Sequence, residues 1–103
     1  MQPLFQLSTR FYDKEIILVK KAMDVLEKKC NVENGYELGE RFEKAGWSFF
    51  NLQLSAEMFG IIEKSGMMEG ALGYRIGEQI KNFVGHYLES FGSNVRVKRI
   101  DYG

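Results

Sequence analysis

GALGYRIGEQIKNFVGHYLESFGSNVRVKRIDY, residues 70–102, joins the longest helical pattern in the chain directly to its clearest strand. Leu72, Ile76, Ile80, Phe83, Val84, Tyr87, Leu88 and Phe91 recur mostly at steps of three and four, which lines one face of an α-helix with apolar groups. Gly92 stops that helix and Ser93-Asn94 turns the chain. Val95 to Tyr102 begins with the alternation of a half-buried strand, and its polarity slips by one residue towards the end. The alternative is a helix that starts near Ile76, in which case Gly70 to Gly73 are turn residues.

Working outward, Leu4 to Phe11 is apolar and β-prone enough for a first strand. Asp13 is suited to cap a helix over Lys14 to Cys30 whose buried face is Ile16, Val19, Met23, Leu26 and Cys30. Asn34-Gly35 marks a turn. The pattern then predicts a short helix over Tyr36 to Ala45, with Leu38, Phe42 and Ala45 inward and Gly46 as its left-handed stop. From Trp47 the period becomes two. Trp47 to Leu54 reads as a strand with Asn51 and Gln53 towards water, and with a slip that returns Phe50, Leu52 and Leu54 to the core side; Trp47 is read as a packing residue. Ser55 caps a helix over Ala56 to Lys64, closed by Ser65-Gly66. The expectation is one α+β domain over residues 1–103, with about three strands in a small antiparallel sheet and about four helices, in the order β-α-α-β-α-α-β.

Composition narrows the function classes. Fourteen basic and fourteen acidic side chains cancel, which removes any bulk electrostatic attraction to nucleic acid or anionic membrane. An aromatic share of 14% argues for a folded chain. One cysteine, Cys30, allows no internal disulfide, and with no secretory leader or membrane-length apolar run a cytoplasmic protein is expected.

Residues 35–40 and 73–78 share the pattern G-Y-x-aliphatic-G-E, which is read as coincidence because two copies do not make a stacked repeat. The glycines carry more weight. Gly73 and Gly77, four apart on a helix from Gly70, would form a groove without side chains, open to close approach by another backbone or a second copy of the chain. Gly73, Tyr74 and Gly77 are therefore the candidate interface. Met67, Met68 and Tyr74 are the candidate lining of a small apolar ligand site.

No catalytic constellation is present. His86 is the single histidine, so a multi-histidine metal site cannot be built from one chain, and its stripe with Glu78, Asn82 and Glu89 reads as a solvated helix face. Phosphate-binding loops, nucleophile elbows and dinucleotide fingerprints are missing. Cys30 reads as apolar filler. No cofactor or metal is expected. Arg96, Lys98 and Arg99 on the last strand, with Tyr102 beside them, form the candidate nucleic-acid surface; protection of a sheet edge is the competing account of the same charges.

The run Phe42-Glu43-Lys44-Ala45-Gly46-Trp47 into a strand, followed by Gly77 to Phe91 into Val95-Arg96-Val97, resembles the vinyl-reductase-type ligand-binding domains and their TRAPP-like relatives. The resemblance implies a dimeric α/β module for small hydrophobic ligands or adaptor partners. The cysteine cluster of some members has no counterpart here, and no functional residue is carried across. The function expected first is a non-enzymatic interaction or assembly module that pairs with itself or with another protein. Ligand sensing and nucleic-acid binding are the alternatives.

Overall fold

The computed structural model describes residues 1–100. Strand β1 (Leu4–Thr9) is followed by helix α1 (Tyr12–Cys30), and strands β2 (Tyr36–Leu38), β3 (Phe42–Lys44) and β4 (Trp47–Leu54) come next. Helices α2 (Ala56–Ser65) and α3 (Ile76–Ser90) lead to strand β5 (Arg96–Arg99). The class is the α+β expected, with five strands and three helices in place of three and four.

The main correction concerns residues 36–45, which form no helix. β2 and β3 both pair antiparallel with β4, Tyr36 opposite Leu54 at one end and Lys44 opposite Trp47 at the other. Between them the Gly39 amide donates to the Asn51 carbonyl at 2.8 Å, so the two pieces are one interrupted partner of β4. Ala45 and Gly46 connect Lys44 to Trp47 with φ of 52° and 82°. Positive φ at both positions is the signature of a two-residue hairpin turn whose twist matches the strands. Gly46 thus has the left-handed backbone expected of it, in a hairpin rather than at a helix end.

β4 also pairs antiparallel with β1, and β1 with β5, giving the sheet order β2-β4-β1-β5 with β3 beside β2 on the same side of β4. β1 and β2 are therefore parallel with β4 between them, and β4 and β5 are parallel with β1 between them. Two interleaved split β-α-β units result, a ferredoxin-like arrangement in which the second crossover carries two helices.

The core lies on one face of this sheet. Phe5 and Leu7 of β1 and Phe50, Leu52 and Leu54 of β4 meet Val19, Met23 and Leu26 of α1 in a single contiguous cluster. Met58 and Ile62 of α2 and Ile80, Val84 and Leu88 of α3 complete it. Each such side chain, fully removed from water, contributes about 1.5–3 kcal/mol of hydrophobic stabilisation. A Cβ at Gly35 would lie 2.5 Å from the sulfur of the buried Met58, so any larger residue there forces that core side chain to shift.

Helix boundaries follow local chemistry. Ser55 caps α2 as expected, its hydroxyl accepting from the Met58 amide at 3.0 Å, and Gly66 ends it at φ 82°. Asp13 does not cap α1: the helix starts two residues earlier than expected, at Tyr12 after Phe11, and Asp13 lies in its first turn, where a negative charge still suits the helix dipole. α3 begins at Ile76, leaving Gly70 and Gly73 in a connection with φ of 86° and 148°. The two G-Y-x-aliphatic-G-E segments consequently differ in structure, one running into β2 and the other through a loop into α3. Among the described residues no helix is long and apolar enough to cross a membrane.

Candidate functional site

All three helices contribute to the one core cluster on one side of the sheet, and among the described residues no helix covers the other side. Side chains on that side follow from the register, because residues directly opposite each other in antiparallel strands point to the same face. β4 contributes Trp47, Phe49, Asn51 and Gln53, alternating with its buried Ser48, Phe50, Leu52 and Leu54. β1 contributes Leu4, Gln6 and Ser8, with Gln6 opposite Lys98 and Ser8 opposite Arg96. Phe42 stands opposite Phe49 and Lys44 opposite Trp47, which extends the face across β3.

Three aromatic rings sit among the cations of this face. Phe42 and Phe49 are stacked, with ring centroids 5.1 Å apart and planes 16° from parallel, and Phe42 remains 53% exposed. The guanidinium carbons of Arg10 and Arg96 lie 5.0 and 4.7 Å from the centre of the Trp47 ring. Contacts of this kind fix the planar guanidinium groups while leaving their N–H edges able to donate. Arg10, Lys44 and Arg96 thus border the rings and Lys98 lies further along β5 opposite Gln6, whereas Glu37, opposite Gln53 at the far corner, is the one acid among the described residues that the register puts on this face. A chain of zero formal charge therefore segregates its charges in space.

Of the three basic residues singled out in the sequence, Arg96 and Lys98 share this face and are exposed. Arg99 points the other way, opposite Phe5, and its guanidinium lies over Gly77, where a Cβ would overlap it. β5 is an edge strand, as the edge-protection account requires. Tyr102 lies outside the described residues.

The glycine groove does not form. Gly73 precedes α3, and Gly77 is buried beneath Arg99, so the two do not line one helix face. Instead α3 side chains hold the loop before the helix. Glu78 accepts from the Tyr74 amide at 3.3 Å, Gln79 donates to the Gly73 carbonyl at 3.3 Å, and the Asn82 side-chain amide donates to the Leu72 carbonyl. Glu78 and Asn82, read as a solvated stripe, are thus anchors for this loop. Leu72 and Tyr74 project from it, 76% and 100% exposed. Met67 and Met68 pack against the core instead, and the shallow groove that Met68 borders with Ile76 and Gln79 includes neither Met67 nor Tyr74.

Cys30 is buried, and burial pushes its thiol above the ordinary range, which keeps it protonated. His86 and Glu89 form an exposed pair at 3.6 Å, and among the described residues no three His, Cys, Asp or Glu side chains converge as metal ligands.

Sequence reasoning missed Arg10, Phe42, Lys44 and the outward placement of Trp47 and Phe49. The signal was parity. Trp47 and Phe49 share odd numbers with Asn51 and Gln53, which were read as facing water, and an unbroken alternation puts all four on one side. Introducing a slip to bury the rings concealed this. No protein-family model, curated protein or solved structure matches the chain. The resemblance to vinyl-reductase-type domains therefore rests on element order, which the β2/β3–β4 hairpin alters.

Proposed function

We propose that the open sheet face binds single-stranded nucleic acid. The observation that supports this reading is that four cations share a face with three aromatic rings, and that among the described residues the register adds one acid and no helix covers it. Phosphates supply a sequence-independent attraction to Arg10, Lys44, Arg96 and Lys98. Bases extend the stack already begun by Phe42 and Phe49, and such stacking contributes about 1–3 kcal/mol per base. Asn51, Gln53 and Gln6 offer donors and acceptors between the rings and the cations.

The test is fluorescence anisotropy with labelled oligouridylate and oligothymidylate of about 10 nucleotides across a salt series. Binding is expected to weaken linearly on a log–log salt plot. Lys98→Ala should flatten the slope by about one unit, whereas Phe42→Ala should lower affinity by about 1–3 kcal/mol with the slope retained. Absence of binding to either strand at low salt removes this reading.

A second reading retains protein assembly, moved from the glycine groove to the loop that carries Leu72 and Tyr74. It is supported by two exposed apolar side chains on a backbone already fixed by Glu78, Gln79 and Asn82, an ordering that lowers the entropic cost of association. Light scattering across a concentration range tests it. A dimer that the Leu72→Ser, Tyr74→Ser double variant dissociates supports the loop, and a monomer at every concentration removes self-association.

A further inference from the structure

At one end of the open face lies a pocket of about 320 Å³, lined by Trp47, Arg10 and Arg96 and by Lys14 from the first turn of α1. Its size falls at the lower end of the range of small-ligand sites. Three cations line it. The one carboxylate there, Glu15, is 2% exposed and already engaged, accepting from the Ser93 hydroxyl at 3.0 Å and from the Asn94 amide at 2.8 and 3.1 Å. The lining therefore keeps an excess of about two positive charges with N–H donors uncommitted to that carboxylate.

We infer that this pocket takes the terminal phosphate monoester of a strand lying on the open face. The inference rests on the nucleic-acid reading above. A phosphodiester inside a strand carries one negative charge, whereas a terminal monoester carries about 1.5 to 2 at neutral pH and presents three acceptor oxygens. The charge of the monoester matches the excess of the pocket, and a diester leaves part of it uncompensated. Arg10 and Arg96 connect the two regions, because each lies over Trp47 while also lining the pocket. A strand whose bases stack on the rings of β3 and β4 can thus end with its last phosphate between Arg10, Arg96 and Lys14. Lys14 separates the two functions, since it borders the pocket and projects from a helix on the covered side of the sheet.

Trp47 is the only tryptophan, so its intrinsic fluorescence reports directly on the junction between face and pocket. Five-nucleotide thymidine strands carrying a 5′-phosphate, a 3′-phosphate or hydroxyls at both ends are titrated at one fixed salt concentration. One phosphorylated end should bind about tenfold tighter than the hydroxyl-ended strand, the scale of a charge-assisted contact. Lys14→Ala should remove that preference and leave hydroxyl-ended binding unchanged, while Lys14→Arg retains it. Equal affinity for all three strands overturns the inference and leaves the nucleic-acid reading intact. A preference that survives Lys14→Ala also overturns it, by assigning the effect elsewhere. Failure of every strand to bind removes the parent reading itself.

Discussion

Glu15 and Ser93, 78 positions apart, meet in the interior at 3.0 Å, where the carboxylate also receives the Asn94 amide. One side chain of α1 thereby fixes the turn between α3 and β5 and so the position of the edge strand that carries Arg96 and Lys98. Removing it leaves a buried hydroxyl and an amide without their acceptor, which costs about 1–3 kcal/mol for groups bonded to a charge. Glu15→Ala should lower the urea midpoint accordingly. Ser93→Ala should cost less, because it leaves the carboxylate bonded to Asn94 and otherwise frees only the Val95 amide, which donates to the Ser93 hydroxyl at 3.3 Å, and the two substitutions should not add.

Ala45 has φ of 52° in the first position of the hairpin turn. A left-handed backbone costs an ordinary residue on the order of 1–2 kcal/mol, whereas asparagine tolerates it and Asn-Gly is the preferred pair for this turn. Ala45→Asn should therefore stabilise the protein by about 0.5–1 kcal/mol. Denaturant unfolding followed by circular dichroism measures the shift.

Two glycines should respond in opposite directions. Gly85 lies within α3 with open space around the position of a Cβ, so Gly85→Ala gains about 0.5–1 kcal/mol of helix propensity. Gly73 has φ of 148°, and a Cβ there would lie 2.8 Å from the Gln79 amide nitrogen. Gly73→Ala should cost about 1–3 kcal/mol through backbone strain. Thermal melts of both variants beside the parent protein give the comparison.

The Tyr36 hydroxyl donates to Asp24 Oδ1 at 2.6 Å, joining β2 to α1. Burial, this hydrogen bond and the nearby carboxylates of Asp24 and Glu27 all raise the phenol pKa above its ordinary value of 10.0. A group whose folded pKa is raised contributes stability that is fully present below the unfolded value and is lost as pH rises through the folded one. Stability should thus fall above about pH 10 as the unfolded chain ionises first. Tyr36→Phe should remove this part of the alkaline slope, which unfolding curves between pH 8 and about 11 would resolve.

Much of the local structure was legible because local chemistry determines it. The α1 stripe of Val19, Met23 and Leu26 and the Ser55 cap of α2 depend on spacing within a few residues, as does the Gly66 stop. Residues 36–45 were not legible in this way. Leu38, Phe42 and Ala45 fit a helical spacing as well as any strand, and pairing with β4 decides between them by supplying backbone partners that no local pattern announces.

The sequence by itself determined that this chain folds as α+β with two long amphipathic helices and several shorter elements, that its charges cancel, and that it carries no phosphate-loop, nucleophile-elbow or dinucleotide motif. Only the tertiary structure decided which side of the sheet the helices cover. Strand order brings Arg10, Phe42, Lys44, Trp47, Arg96 and Lys98 onto a single uncovered face, although they span positions 10 to 98 of the chain. The physical reason is that alternation along a strand assigns a side chain to one of two faces, but burial of one face is a property of the whole packed sheet.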